Sequence, residues 1–407
     1  MNARQTGDVR TPAYTGVFAE VEDFIELIDG LRAADALPYY TALGEANGPT
    51  AVHEGREILM FGSNGYLGLS TDPRVRQAAK DAIDTYGTTS SGSAVQNGYT
   101  VLQRELEEAL AAFVGREAVM LTPTGYMAND AALVALLNQD RVLILDAESH
   151  ESIFSGARKS RAKVVKFSHN DVAELEEKLA ENSGQACMVM VEGVYSMSAD
   201  VAPLHEIKHL CVEYGATLVV DDAHGFGMIG ETGRGAEEAL DAVGCADLLT
   251  GTFSKSLASS GGFIAGDRKV IDFIRFHGKS AMFSAAASPA NIAAASAALE
   301  ILIQEPWRIK QLEENANYWR DGLSRLGFTV GKSTTAITSV MVGDMGRCLE
   351  FWKALMEGGL YANCVLPPAT PEGKELLRTS VIATHEKHHL DRALAIFKVA
   401  GKKVGVI

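Results

Sequence analysis

Short apolar runs without polar interruption, each followed by a longer amphipathic stretch, occupy the middle of this 407-residue chain and leave few ways to fold it. Arg141-Val142-Leu143-Ile144-Leu145-Asp146, Cys187-Met188-Val189-Met190-Val191, Thr217-Leu218-Val219-Val220 and Gly262-Phe263-Ile264-Ala265 have the length and β-branched content of strands. Residues 171–182 and 204–214 have the periodicity of helices. A strand that is apolar throughout needs cover on both faces. The alternation therefore implies an α/β fold, a mostly parallel central sheet flanked by helices. Ahead of this core, residues 23–32 read as a helix and 57–61 as a strand. Behind it, residues 290–326 read as long helices interrupted near Pro306, followed by strands at 337–342 and 377–382 and a helix at 388–399. The expected organisation is an N-terminal arm with part of a small domain (1–58), a large domain (59–290) and a C-terminal small domain (291–407), the small α+β domain being formed by the two chain ends.

Composition removes several classes of function. With 37 basic and 52 acidic side chains the net charge is −15, which argues against a general nucleic-acid or anionic-membrane surface. No apolar run approaches the roughly 20 residues of a membrane span. Residues 1–10 are polar with no apolar signal core behind them, so secretion is not expected. The five cysteines (Cys187, Cys211, Cys245, Cys348, Cys364) are odd in number and scattered without a CxxC pair. They read as reduced thiols of a cytoplasmic protein. There is no internal repeat, no low-complexity tract and no metal-ligand spacing.

Polar residues at strand ends carry the chemistry, because open α/β sheets bind ligands outside the carboxyl ends of their strands. Gly251-Thr252-Phe253-Ser254-Lys255-Ser256 places a lysine after an apolar run, and Val220-Asp221-Asp222-Ala223-His224-Gly225 stands about thirty residues earlier. A lysine and a carboxylate so placed suit pyridoxal phosphate. The amine can hold the aldehyde as a Schiff base, and a buried aspartate keeps the pyridine nitrogen protonated. Thr124-Gly125-Tyr126 precedes a helix-like stretch whose first amides would face phosphate, with Thr252 and Ser254 adding hydroxyls. His150, after a strand, is placed to stack on a flat ring. Each of these signals has a plainer alternative: a turn at Gly125-Tyr126, a strand cap at Thr252 and Ser254, a packed or capping residue at His150.

In combination and order the motifs resemble the α-oxoamine synthases, a family of pyridoxal phosphate enzymes. The resemblance runs from about Leu59 to the C-terminus. It rests on Ser63-Asn64-Gly65-Tyr66-Leu67-Gly68, Thr124-Gly125-Tyr126-Met127-Ala128-Asn129, Ser149-His150-Glu151-Ser152, Glu192-Gly193-Val194-Tyr195-Ser196-Met197, Asp221-Asp222-Ala223-His224-Gly225, Thr252-Phe253-Ser254-Lys255-Ser256 and Leu377-Arg378-Thr379-Ser380. It implies a fold-type I transferase in which Lys255 holds the cofactor and moves the substrate Cα proton. Asp221 would pair with the pyridinium nitrogen, His150 would stack on the ring and polarise a carbonyl oxygen, and His224 would reach the phenolic oxygen. Gly125, Tyr126, Thr252 and Ser254 would line the phosphate. Glu192 and Ser196 would be polar residues under the cofactor. Arg378, helped by Asn64, would clamp the amino-acid carboxylate through paired hydrogen bonds. The plainer alternatives are a surface charge for Arg378 and a buried ion pair for Glu192. The resemblance further implies a homodimer with shared sites, Ser284 lying in a block that reaches the other subunit's phosphate.

The implied reaction is a decarboxylative Claisen condensation of a small amino acid with an acyl thioester, giving an α-amino ketone. Glu192-Gly193-Val194-Tyr195-Ser196-Met197 and Lys255-Ser256 with Gly261-Gly262 lean towards the serine palmitoyltransferase branch. Phe167-Ser168-His169-Asn170-Asp171 and Asp221-Asp222-Ala223-His224-Gly225 are also close to the 8-amino-7-oxononanoate synthase branch, which uses alanine. Serine is favoured, and a specialised amino-ketone synthase is a third possibility. Gln103 stands where the family usually has histidine, and residues 88–95 lack the arginine of several acyl-CoA users. Acyl carrier protein is therefore an alternative donor to coenzyme A. A fold-type I aminotransferase would share Lys255, Asp221 and Arg378, but Asp221-Asp222-Ala223-His224-Gly225 favours the synthase. A non-catalytic partner subunit would lack Lys255, and a transcription regulator would need a DNA-binding module for which the N-terminal part is too short.

Overall fold

The computed structural model describes residues 16–18, 20–46 and 48–407, so the polar stretch 1–10 lies outside the described residues. The N-terminal part contains α1 (Val21–Ala33), the antiparallel pair β1 (Thr50–His53) and β2 (Arg56–Met60), α2 (Pro73–Tyr86) and α3 (Val101–Val114). The middle follows as β3 (Ala118–Thr122), α4 (Gly125–Leu136), β4 (Arg141–Asp146), α5 (Glu151–Ser160), β5 (Lys163–Phe167), α6 (Val172–Glu181), β6 (Ala186–Glu192), α7 (Leu204–Tyr214), β7 (Thr217–Asp221), α8 (Ala236–Ala239), β8 (Leu248–Thr252) and β9 (Gly262–Gly266). Helices α9 (Arg268–His277), α10 (Lys279–Met282), α11 (Pro289–Gln304) and α12 (Trp307–Leu326) come next. The chain ends with β10 (Ile337–Met341), α13 (Met345–Gly358), β11 (Leu360–Tyr361), β12 (Asn363–Val365), β13 (Leu376–Ser380) and α14 (Lys387–Lys403).

The central sheet has seven strands in the order β3-β9-β8-β7-β6-β4-β5. Strands β8, β7, β6, β4 and β5 are parallel neighbours, and β9 runs antiparallel to both β3 and β8. The sequence expectation of a mostly parallel sheet holds, and its reason is visible in the side chains. Ile144, Val189, Leu218 and Val220 are buried in one apolar cluster with α6, α7 and α11 residues, while Leu143, Leu145, Met190 and Val219 are buried in another with α4 and α5. Each fully buried aliphatic side chain of this kind contributes about 1.5–3 kcal/mol.

A further apolar cluster joins the two ends of the chain. Ile58, Leu59 and Phe61 pack there with Trp319, Phe351, Leu377 and Phe397. Strand β11 extends β1 and β2 in a small sheet, and β13 lies between β10 and β12 in a second one. Helix boundaries follow local chemistry. Asp72 caps α2 by accepting from the Arg74 amide, with Pro73 at the first helical position, and Gly115 and Gly215 end α3 and α7 at positive φ. Among the described residues no helix is long and apolar enough to cross a membrane.

Candidate active site

The parallel strands deliver Glu192, Asp221 and Thr252 to one edge of the sheet, as the last residues of β6, β7 and β8. Glu192 pairs in register with Asp221, and Asp221 with Thr250. Helix α4 starts at Gly125 beside this edge, and His150 immediately precedes α5. A cavity of about 310 Å³ opens between them. Gly125, Tyr126, His150, Glu192, Asp221, His224, Thr252, Ser254 and Lys255 all line it, so residues scattered over 130 positions of sequence meet in one place.

Asp221 is held rigidly. Asn129 Nδ2 donates to its Oδ2 at 2.6 Å, and the Ala223 amide donates to Oδ1 at 3.0 Å. The Thr250 hydroxyl donates to Asn129 Oδ1 at 2.7 Å, which turns the amide nitrogen towards Asp221 and also within 2.9 Å of Ser152 Oγ. Asn129, absent from the sequence-based candidates, thus joins the residues that line the cavity. A signal for it existed: it stands one helical turn after Gly125, so both face the same strand ends.

Burial sets the charge of the remaining groups. Burial, helped by the Asp221 carboxylate, pushes Glu192 well above the ordinary carboxyl range, and its Oε1 has no partner. The nearby Lys255 ammonium and the His150 amide pull the other way without prevailing. Burial lowers the Lys255 ammonium to about 8, against the opposing pull of Asp221 and Glu192. Burial and the nearby cations Lys255 and Arg378 hold His224 well below its usual range. Tyr66, raised to about 12 chiefly by burial, has its hydroxyl 2.7 Å from His224 Nδ1.

His150 has the capping role given as its plainer alternative, and it also lines the cavity. Its Nδ1 accepts from the Ser152 amide at 3.2 Å, capping α5, while the ring lines the cavity edge-on to Tyr126 at 6.4 Å. At the start of α4 the Thr124 hydroxyl caps the Met127 amide at 3.1 Å, and the Gly125 and Tyr126 amides before it have no intrahelical acceptor. Thr252 Oγ1 lies 2.9 Å from Ser254 Oγ there. A Cβ on Gly125 would come within 2.6 Å of Thr252 Cβ, so only glycine lets α4 start this close to β8.

Arg378 comes from β13 and is 4% exposed, so it is no surface charge. Its Nε donates to the Ser196 carbonyl at 2.7 Å and its Nη1 to Asn64 Oδ1 at 3.0 Å. Nη2 is buried without an acceptor. The Tyr66 hydroxyl, 3.4 Å from Asn64 Oδ1, links this guanidinium to His224 and the cavity. Ser196 thus joins the site through its backbone carbonyl. Ser284 does not line the cavity of its own chain, following α10 beside the exposed Phe283. Gln103 is buried on α3, its Nε2 3.3 Å from Glu107 Oε1, and it lines a neighbouring cleft of about 600 Å³ with Tyr99 and Arg275.

These features fit pyridoxal phosphate: a partially neutral lysine, a fixed carboxylate, a glycine-opened helix start with two hydroxyls, and unpaired buried polar atoms at Glu192 and Arg378. Comparison with known proteins agrees. The family model described as aminotransferase class I and II matches residues 56–397. A serine palmitoyltransferase of Sphingobacterium spiritivorum is 37% identical over 380 residues, covering 93% of this chain and 95% of that protein. An 8-amino-7-oxononanoate synthase of Thermoanaerobacter pseudethanolicus is 37% identical over 388 residues, covering 95% of this chain and 98% of that one. The solved serine palmitoyltransferase of Sphingomonas wittichii superposes with a TM-score of 0.94 at 34% identity, covering 97% of this chain and 100% of that chain.

Proposed function

The chain belongs to the aminotransferase class I and II family, as a pyridoxal phosphate-dependent α-oxoamine synthase, and on that footing we propose that it joins serine to an acyl thioester. Cα of the amino acid bonds to the thioester carbonyl carbon, the C–S bond breaks with release of the thiol, and the carboxyl group departs as carbon dioxide. The product is an α-amino ketone. The cofactor, when bound, supplies a cationic ring that withdraws electron density from Cα. Asp221 would hold its ring nitrogen and Lys255 its aldehyde carbon. Gly125, Tyr126, Thr252 and Ser254 would hold its phosphate, and His150, His224, Glu192 and Ser196 would surround the ring.

The observation that carries the reading is Arg378. A buried guanidinium fixed at Nε and Nη1, with Nη2 unpaired, is a receptor for one carboxylate. Asn129 keeps Asp221 oriented for a cationic partner. The amine of Lys255, near 8, is neutral often enough at physiological pH to take a proton from Cα and return it after carbon dioxide leaves. His150 lines the cavity, and with Nδ1 accepting from the Ser152 amide its Nε2 would carry the hydrogen to donate to the developing oxyanion of the thioester carbonyl. Gln103 in the adjoining cleft leaves either coenzyme A or acyl carrier protein as the thiol carrier. We further place the enzyme in the cytoplasm as a homodimer.

Serine is supported by the Glu192–Met197 and Lys255-Ser256 blocks and by the superposition on a serine palmitoyltransferase. Alanine is the second reading, supported by the equal identity to an 8-amino-7-oxononanoate synthase. Specificity constants for serine, alanine and glycine with one fixed thioester decide between them. Serine should exceed both by about tenfold or more, roughly 1.4 kcal/mol. A tenfold advantage for alanine would assign the chain to the second reading.

A further inference from the structure

His169 belongs to no step described so far, yet it is held more tightly than any other histidine near the site. It follows β5, with Nδ1 3.0 Å from Asp146 Oδ1 and Nε2 3.0 Å from Asp200 Oδ2. A neutral imidazole has one N–H and would set a lone pair against one of these carboxylates. Two carboxylates on the two nitrogens require the imidazolium. The cationic form is indeed favoured up to about 10: burial opposes it, but the hydrogen bonds to Asp146 and Asp200 prevail. Glu148, 3.9 Å from Nε2, adds a third negative charge, and the Tyr195 ring packs edge-on at 4.4 Å.

The two carboxylates belong to different loops. Asp146 ends β4 and opens the 146–150 segment that carries His150. Asp200 belongs to the 193–201 loop after β6, which returns on itself through a Val194–Val201 bridge. That loop contains Ala199 at φ 60°, a left-handed conformation that costs a non-glycine residue about 1 kcal/mol or more and persists only when neighbours hold it. It also supplies the Ser196 carbonyl that receives Arg378 Nε.

We propose that His169 is a positioning residue for amino-acid binding: by clasping Asp200 to Asp146 it anchors the 193–201 loop, and the Ser196 carbonyl on that loop sets the orientation of Arg378. The chain of contacts runs from a cation outside the cavity to the guanidinium whose Nη2 awaits a carboxylate. Without the clasp, Arg378 keeps its charge and its Asn64 contact, but the Ser196 carbonyl that receives Nε is no longer anchored. The inference rests on the reading of Arg378 as the carboxylate clamp.

Equilibrium titration of the holoenzyme, followed in the visible absorbance of the lysine-linked cofactor, separates the two. L-serine is compared with ethanolamine, and L-alanine with ethylamine, so that each pair differs by one carboxylate. Arg378→Gln should abolish the preference for the carboxylate member; if it does not, the clamp reading itself fails. His169→Gln should retain cofactor absorbance and amine affinity within about twofold while amino-acid affinity falls about tenfold. Asp200→Asn should do the same, and the double variant should be no worse than the weaker single variant. Equal losses for both members of a pair, or no loss, with Arg378→Gln behaving as expected, would overturn the positioning role. If His169→Gln loses the cofactor, Asp200→Asn alone carries the test, with the same outcomes.

Discussion

Lys255 shows how one side chain is tuned by its place. In water its ammonium would be overwhelmingly protonated at neutral pH, whereas burial at the end of β8 brings it to about 8. Below that value the cation cannot attack an aldehyde, and above it the neutral amine predominates. Reconstitution of the unloaded protein with pyridoxal phosphate should therefore accelerate as pH rises through about 8 and level off beyond it, measured by growth of visible absorbance. A rate already level between pH 6 and 7 would contradict the lowered value. Lys255→Ala should show no covalent capture at any pH while keeping its fold. Asn129 illustrates the complementary case, a neutral residue whose value lies in where it turns another. Its oxygen is occupied by Thr250, so only its nitrogen is left for Asp221.

At the scale of elements, the contact between the start of α4 and the end of β8 decides whether a phosphate can sit there. Gly125 allows the approach, and Gly262 on β9 packs equally closely, its Cβ position lying 2.6 Å from Gly125 Cα. A methyl group at Gly125 meets Thr252 Cβ, which no turn of the hydroxyl moves, and so forces α4 away from β8. Overpacking of this kind costs about 1–3 kcal/mol. Gly125→Ala should thus raise the cofactor dissociation constant by about tenfold or more, read by absorbance or fluorescence titration, with the helical circular dichroism unchanged. Unaltered cofactor affinity would show that the contact is not part of the phosphate site.

For the whole molecule, the cleft of about 600 Å³ adjoins the cofactor cavity along residues 122–124 and is bordered by apolar side chains in solvent. Phe276 is 65% and Phe283 78% exposed. Exposed aromatic side chains grouped beside a catalytic cavity are what an isologous interface covers. A homodimer at micromolar concentration is expected by sedimentation, with Ser284 of each copy brought towards the other's phosphate site. Phe283→Glu should weaken the dimer and reduce turnover together. A fully active monomer would refute the shared site.

The apolar runs and motif order were enough to reveal the parallel sheet, the lysine and aspartate at strand ends, and most of the cavity lining, because strand period and strand-end position are local properties. Long helices broken at Pro306 and the strands around 337–341 and 376–380 were equally legible. What only the tertiary structure decided is relational. Arg378 and Ser196 stand 182 positions apart and meet through one hydrogen bond. Asn129 gains its role from Thr250 and Asp221 on separate strands, and His169 gains its charge from two carboxylates on two loops. Long-range hydrogen bonding and desolvation depend on which elements pack together, and neither leaves a periodicity in the chain for a reader to find.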